Sequence, residues 1–121
     1  MSKIVLMFLL LAASIASAEE FFVSGNRYEG QPVVCSAYDD AAELAEIYVN
    51  KSIEEFSGAL SIKTREALCF SEITISFTPT KETSVHKGKG TVYVVEVFSG
   101  EIFYIVTLRK VFKFTKKSIL V

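Results

Sequence analysis

The spacing of apolar residues changes from a helical period to a strand period about halfway along the chain. In the first half, apolar residues recur at positions i, i+3, i+4 and i+7, at Ala41, Leu44, Ala45 and Tyr48. That recurrence is the stripe of an amphipathic helix. Asp40 and Glu43 have the spacing of a capping box, so we expect the helix to begin at Asp40.

A second helical segment is predicted directly after the first one. Ser52 and Glu55 repeat the capping-box spacing, and apolar residues at 53, 56 and 60 give the segment one apolar side. Gly58 and Ser61 weaken its middle, so we expect this helix to be short or bent. A final helical turn is expected before Cys69.

After Cys69 the pattern becomes that of β-strands. Ile73, Ile75 and Phe77 alternate with polar residues, which predicts a half-buried strand that ends at Pro79. The next segment is polar and glycine-containing, so residues 80–90 are expected to form a loop, which begins at Thr80 and ends at Gly90.

The strongest strand signal is a hairpin. Thr91–Phe98 and residues 101–108 are apolar at nearly every position, with Ser99-Gly100 as the turn between them. Because neither strand has a polar face, we expect both faces to be covered. Apolar residues at 111, 112 and 114 predict one more strand, and Phe21–Val23 predicts a short strand near the start.

This order of elements predicts an α+β fold. We expect an N-terminal helical arm, at about residues 36–68, followed by a small antiparallel SH3-like β-barrel or curled sheet, at about residues 70–115. A sheet wrapped on one long helix, as in cystatin-like folds, is the alternative. The broken helical pattern and the short strands favour the barrel.

The first 18 residues have the features of a cleavable signal peptide. Lys3 precedes an apolar run, and Ala16-Ser17-Ala18 follows it as a cleavage motif. The alternative is an uncleaved membrane anchor, although the run is short for a spanning helix. We therefore expect residues 19–121 to form a single exported domain, in the periplasm or outside the cell, without a transmembrane helix in the mature chain.

The only two cysteines, Cys35 and Cys69, lie on either side of the helical region. Two cysteines in an exported chain most simply form one disulfide, with two buried free thiols as the alternative. Redox-active pairs are usually two residues apart, so the wide spacing indicates a structural role.

The chain resembles small exported bacterial proteins that have SH3-like domains. The resemblance consists of the leader, Cys35 before the helices, Cys69 before the strands, and the apolar hairpin at residues 92–97 and 103–107. It implies an SH3-like fold and a location in the bacterial envelope, and it implies no catalytic residues.

The residues that could carry catalysis are few. His86 is the only histidine, and the predicted loop places it among lysines, where we expect an exposed side chain. No G-x-S-x-G motif surrounds a serine, and a zinc site needs more ligands than one histidine. We therefore predict no catalytic, cofactor-binding or metal-binding residues, and a protein that is not an enzyme. A small hydrolase that depends on His86 is the least favoured alternative.

Charge divides the chain into an acidic half and a basic half. Residues 19–72 contain eleven acids and four bases, whereas residues 73–121 contain three acids and eight bases. Attraction between the two halves is one explanation. The other is a basic surface that binds an unknown envelope protein or an anionic surface. The residues predicted for that surface are Lys87, Lys89, Arg109, Lys110 and Lys113.

These features favour an exported, non-enzymatic binding or interaction module of the bacterial envelope. Nucleic acid is a poor partner for an exported chain that is not basic overall. The alternative function is an inhibitor of a secreted or periplasmic enzyme, in which the predicted loop at residues 80–90 would act as a plug.

Overall fold

The computed structural model describes residues 21–112, and their fold is α+β. Three short strands come first: β1 (Phe21–Val23), β2 (Tyr28–Gly30) and β3 (Val33–Cys35). Two helices follow, α1 (Tyr38–Asn50) and α2 (Ile53–Arg65). The remaining strands are β4 (Cys69–Phe70), β5 (Ile75–Lys87), β6 (Thr91–Phe98), β7 (Ile102–Thr107) and β8 (Lys110–Phe112).

The predicted N-terminal position of the helices is wrong. Strands β1, β2 and β3 precede them, so both helices lie in the middle of the fold. Six strands form one antiparallel, curled sheet in the order β2-β5-β6-β7-β3-β4, and β1 pairs with β8 in parallel. The first half of the chain therefore contributes strands to the sheet as well as the helices that cover it.

Both faces of β6 are buried, as the apolar hairpin predicted, whereas in β7 only Ile105 is buried and Ile102 is exposed. On the outer face, Val92 and Val94 of β6 pack with the buried side of α1, which contains Leu44 and Val49. On the inner face of the curl, Val95 and Val97 of β6 pack with residues such as Phe22, Val34, Phe77 and Ile105. Since successive side chains of a strand point to opposite faces, one strand contributes to both clusters.

The two helices begin in different ways. At α2, the Ser52 hydroxyl accepts from the Glu55 amide and the Glu55 carboxylate accepts from the Ser52 amide, so this predicted capping box is confirmed. At α1, the predicted capping box is wrong, because the helix begins at Tyr38 after Ala37, which makes no side-chain cap. The acids of its first turns, Asp40 and Glu43, instead accept hydrogen bonds from Lys63 of α2.

The predicted loop at residues 80–90 is also wrong for most of its length. Strand β5 runs on to Lys87, and only residues 88–90 turn the chain into β6. Pro79 does not end the strand, because it lies at a shift in the β5–β6 register between Pro79 and Lys81. Such irregularities accept a proline that cannot donate to the ladder.

The hairpin, the short first strand and the last strand are confirmed. Val95 of β6 pairs with Ile105 of β7, and the turn between these strands contains Gly100 at a φ of 81°, a conformation that favours glycine. Residues 1–18, predicted as a leader, lie outside the described residues, as do Lys113 and residue 114 of the last predicted strand. Among residues 21–112, no helix is both long and apolar enough to cross a membrane.

Candidate functional site

The cysteines form the predicted disulfide between neighbouring strands. Cys35 of β3 and Cys69 of β4 are bonded and occupy directly opposed positions in the sheet. Both are buried, with 0% and 1% of their surface exposed, and both belong to the cluster that packs under the helices. A disulfide fits an oxidising compartment. Its burial in a packed core agrees with the expected structural role.

The predicted basic residues belong to two different segments of the chain. Lys87 ends β5 and Lys89 lies in the turn that follows, and both side chains are exposed. Arg109 and Lys110 lie at the entry to β8, where Lys110 is exposed and Arg109 is half-buried. Lys113 lies outside the described residues.

Arg109 lines a cleft at the inner face of the curled sheet. The cleft has a volume of about 270 Å³, and its walls include the β2–β3 turn and the end of β7. Three aromatic rings that belong to the inner core also line it, those of Phe22, Tyr28 and Phe77. The volume is close to the lower end of the range for small-ligand sites.

The aromatic rings hold the arginine in place. The guanidinium carbon of Arg109 lies 4.0 Å from the centroid of the Phe22 ring and 5.7 Å from that of the Tyr28 ring. The same two rings meet edge to face at a centroid distance of 4.9 Å. A stacked guanidinium keeps its N–H donors at its edges. The cleft therefore combines an apolar aromatic wall with a positioned cation, and Glu29 adds one carboxylate to its lining.

His86 occupies a second polar site, where β5 passes α1. Its Nδ1 lies 2.7 Å from a carboxylate oxygen of Glu46, and its Nε2 lies 2.8 Å from the hydroxyl oxygen of Ser84. Only 11% of the His86 side chain is exposed. The expectation of an exposed loop histidine is therefore wrong, because His86 lies in a strand and both ring nitrogens have partners.

Neighbouring contacts keep this second site in place. Asn50 donates from its side-chain amide to the other carboxylate oxygen of Glu46, at 3.0 Å. The turn after β5 packs on the end of α1, where the Lys89 amide donates to the Val49 carbonyl at 2.8 Å. Gly88 is required there, since a Cβ atom would collide with the same carbonyl oxygen. The helix is therefore joined to the strand at His86 and again to the turn that follows the strand.

The sequence-based interpretation missed the grouping of Ser84, His86 and Glu46. A predicted strand would have placed Ser84 next to His86, because residues two apart in a strand lie on the same face. A predicted loop at residues 80–90 gives no such expectation. Glu46 is 40 positions from His86, and only the packing of α1 against β5 brings the two together.

No protein-family model, curated protein or solved structure matches this chain.

Proposed function

We propose that this chain is an exported binding module of the bacterial envelope that contacts an anionic partner through the cleft at Arg109. The observation that carries the proposal is the guanidinium held against Phe22 and Tyr28 inside a cleft. A preordered arginine loses little side-chain entropy on binding, and its donors match carboxylate and phosphate groups. The proposed action at this cleft is binding without chemical change.

Basic residues near Arg109 in the sequence support an anionic partner, whereas Glu29 brings one negative charge to the cleft lining. Lys110 follows Arg109 directly, and the second half of the chain carries eight bases against three acids. A local excess of positive charge raises the rate of encounter with anions and orients them. Lys113 extends this basic sequence. Lys87 and Lys89 add exposed cations at the turn between β5 and β6.

The location and the finer fold are part of the same proposal. The disulfide and the leader-like sequence support export to the periplasm or the extracellular space. The curled sheet with a filled inner face supports an SH3-like barrel, with β1 and β8 covering part of the curl.

The alternative function, inhibition by a protruding loop, has lost its structural basis. Residues 80–87 form part of a strand, and the short turn after them is packed on α1. A plug needs a segment that projects far enough to enter an active site. We therefore do not propose an inhibitor.

The test is a comparison of variants with reversed charge. The purified disulfide-bonded chain, without residues 1–18, is immobilised and exposed to bacterial envelope extracts and to phosphatidylglycerol vesicles. We expect Arg109→Glu to weaken retention of the partner about tenfold or more, because charge-assisted hydrogen bonds contribute about 1.5–3 kcal/mol. We expect a smaller loss for Lys110→Glu.

Arg65→Glu is the matched control, because Arg65 is an exposed arginine in the last turn of α2. Circular dichroism and a melting curve establish that each variant is folded. The proposal is wrong if folded Arg109→Glu protein retains the same partners as the wild type. A protein partner is indicated if Arg109→Glu loses retention of components of the envelope extract. A lipid partner is indicated if Arg109→Glu loses retention of the phosphatidylglycerol vesicles.

A further inference from the structure

We propose that Ser84, His86 and Glu46 form a nucleophilic serine site that reacts with activated acyl esters. The serine hydroxyl, the imidazole and the carboxylate are joined in one hydrogen-bonded chain, with distances of 2.8 Å and 2.7 Å. That chain has the order of groups by which serine hydrolases activate their nucleophile. The site is separate from the Arg109 cleft, whose lining contains none of the three residues.

The hydrogen bonds determine which ring nitrogen is the base. A carboxylate can only accept, so the bond to Glu46 requires a proton on Nδ1. In the neutral ring Nε2 then has a lone pair, which accepts the hydroxyl proton of Ser84. Glu46 is thus a positioning residue that selects the tautomer, and His86 is the general base next to the nucleophile.

The arrangement is fixed before any substrate arrives. Ser84 and His86 lie opposite Val94 and Val92 of β6, two residues of the outer-face core, so both face the helices. Asn50 holds the second oxygen of Glu46. Because the helix and the strand are joined again at the Lys89–Val49 contact, little reorganisation is needed for reaction.

In this proposal, the donor for the developing oxyanion is a backbone N–H on the edge of β5 that faces away from β6. Strand β2 pairs with β5 only from Ile75 to Phe77, and in the described part of the chain no strand pairs with that edge beyond Phe77. Alternate residues of a strand turn their N–H groups to the same edge, so one within a residue of Ser84 faces it. A single donor stabilises an oxyanion less than a complete hole does.

Weak stabilisation of the oxyanion restricts the substrates to those that react readily. Esters with good leaving groups need less help at the oxyanion than amides do. The Ser84 oxygen adds to the carbonyl carbon, its proton moves to His86 Nε2, and the carbon–oxygen bond to the leaving group breaks as that group takes the proton. Water then cleaves the acyl-serine and returns the serine hydroxyl.

A fluorophosphonate probe tests the site without knowledge of the natural ester. The Ser84 oxygen forms a bond to phosphorus, fluoride leaves, and the hydroxyl proton passes to His86. We expect one adduct per folded chain, which peptide mass mapping assigns to Ser84. Ser84→Ala is expected to abolish the adduct, and His86→Ala to slow labelling about 100-fold or more.

Three comparisons separate chemistry from folding. Ser61→Ala, at an exposed serine of α2, should label like the wild type, and chain unfolded in urea should not label at Ser84. At equal melting temperature, Glu46→Asp should retain more of the labelling rate than Glu46→Gln, because only Asp keeps a carboxylate. A folded wild type that gives no adduct at Ser84, or a folded His86→Ala variant that labels at the wild-type rate, overturns the inference.

This test and the test of the Arg109 cleft give independent results. Ser84→Ala should leave retention of the anionic partner unchanged, and Arg109→Glu should leave labelling unchanged. Either proposal can therefore fail while the other stands.

Discussion

At the scale of single residues, the buried ammonium group of Lys63 contacts two carboxylates of α1. Only 8% of Lys63 is exposed, and its Nζ donates to Asp40 and Glu43 at 2.9 Å each. Burial disfavours the charged lysine, but the two hydrogen bonds and the two negative charges outweigh burial and raise the pKa of Lys63 above its ordinary value of 10.5. The result is an ion pair that links α1 to α2.

We predict that Lys63→Met lowers the free energy of unfolding by about 1–2 kcal/mol, because Asp40 and Glu43 lose their shared cation. A raised pKa in the folded state stabilises the fold fully below pH 10.5, the unfolded value. That contribution is lost as the pH rises through the folded pKa. The free energy of unfolding, measured in urea, should therefore differ between the wild type and Lys63→Met by a constant amount near neutral pH. This difference should shrink only in strong alkali. Lys51→Met, at an exposed lysine after α1, should cause little change, and an equal loss in both variants contradicts the prediction.

At the scale of elements, the contact between the β5–β6 turn and the end of α1 decides where the hairpin lies. Gly88 has no room for a Cβ atom next to the Val49 carbonyl, whereas Gly90 in the same turn has no neighbouring atom within 4 Å. We predict that Gly88→Ala costs about 1–3 kcal/mol of stability, the usual cost of overpacking. Urea unfolding measures it, and Gly90→Ala is the matched control. Urea unfolding curves that are the same for Gly88→Ala and Gly90→Ala would contradict the packing of the β5–β6 turn on α1.

At the scale of the whole molecule, the disulfide connects the two ends of the helical insertion. It joins β3 to β4 across a sequence separation of 34, and closing a loop of that length restricts the unfolded chain by about 4 kcal/mol in the entropy model. That is a large share of the stability of a small domain. The helices, held at both ends, cover one sheet face, and the cleft is lined by residues of the core cluster on the other face.

Features set by short-range patterns could be predicted from the sequence. The apolar hairpin, the capping box at Ser52 and the pairing of Cys35 with Cys69 agree with the structure. Strand β5 could not be predicted, because among residues 21–112 strands pair with only one edge of residues 78–87, and its register shifts interrupt the alternation of buried residues. Polar side chains are tolerated there, and a polar strand looks like a loop in the sequence.

The candidate sites were harder to predict than the fold. The charge of Arg109 predicts a role in a basic surface, whereas its position over the Phe22 ring depends on the path of the chain between β7 and β8. The grouping of Ser84 and His86 with Glu46 depends on helix-to-strand packing. Contacts between residues that are distant in the sequence leave no periodic signal in a single chain.

Binding of an envelope partner at the Arg109 cleft is tested most directly by amide NMR. The spectrum of the ¹⁵N-labelled mature chain is recorded with and without unlabelled envelope extract, so only signals of this protein are observed. We expect shifts or intensity losses concentrated at the cleft residues Gly30, Gln31, Thr107 and Arg109, and we expect none in the folded Arg109→Glu variant. An unchanged spectrum, or changes concentrated on α2 instead of the cleft, would contradict binding at this cleft.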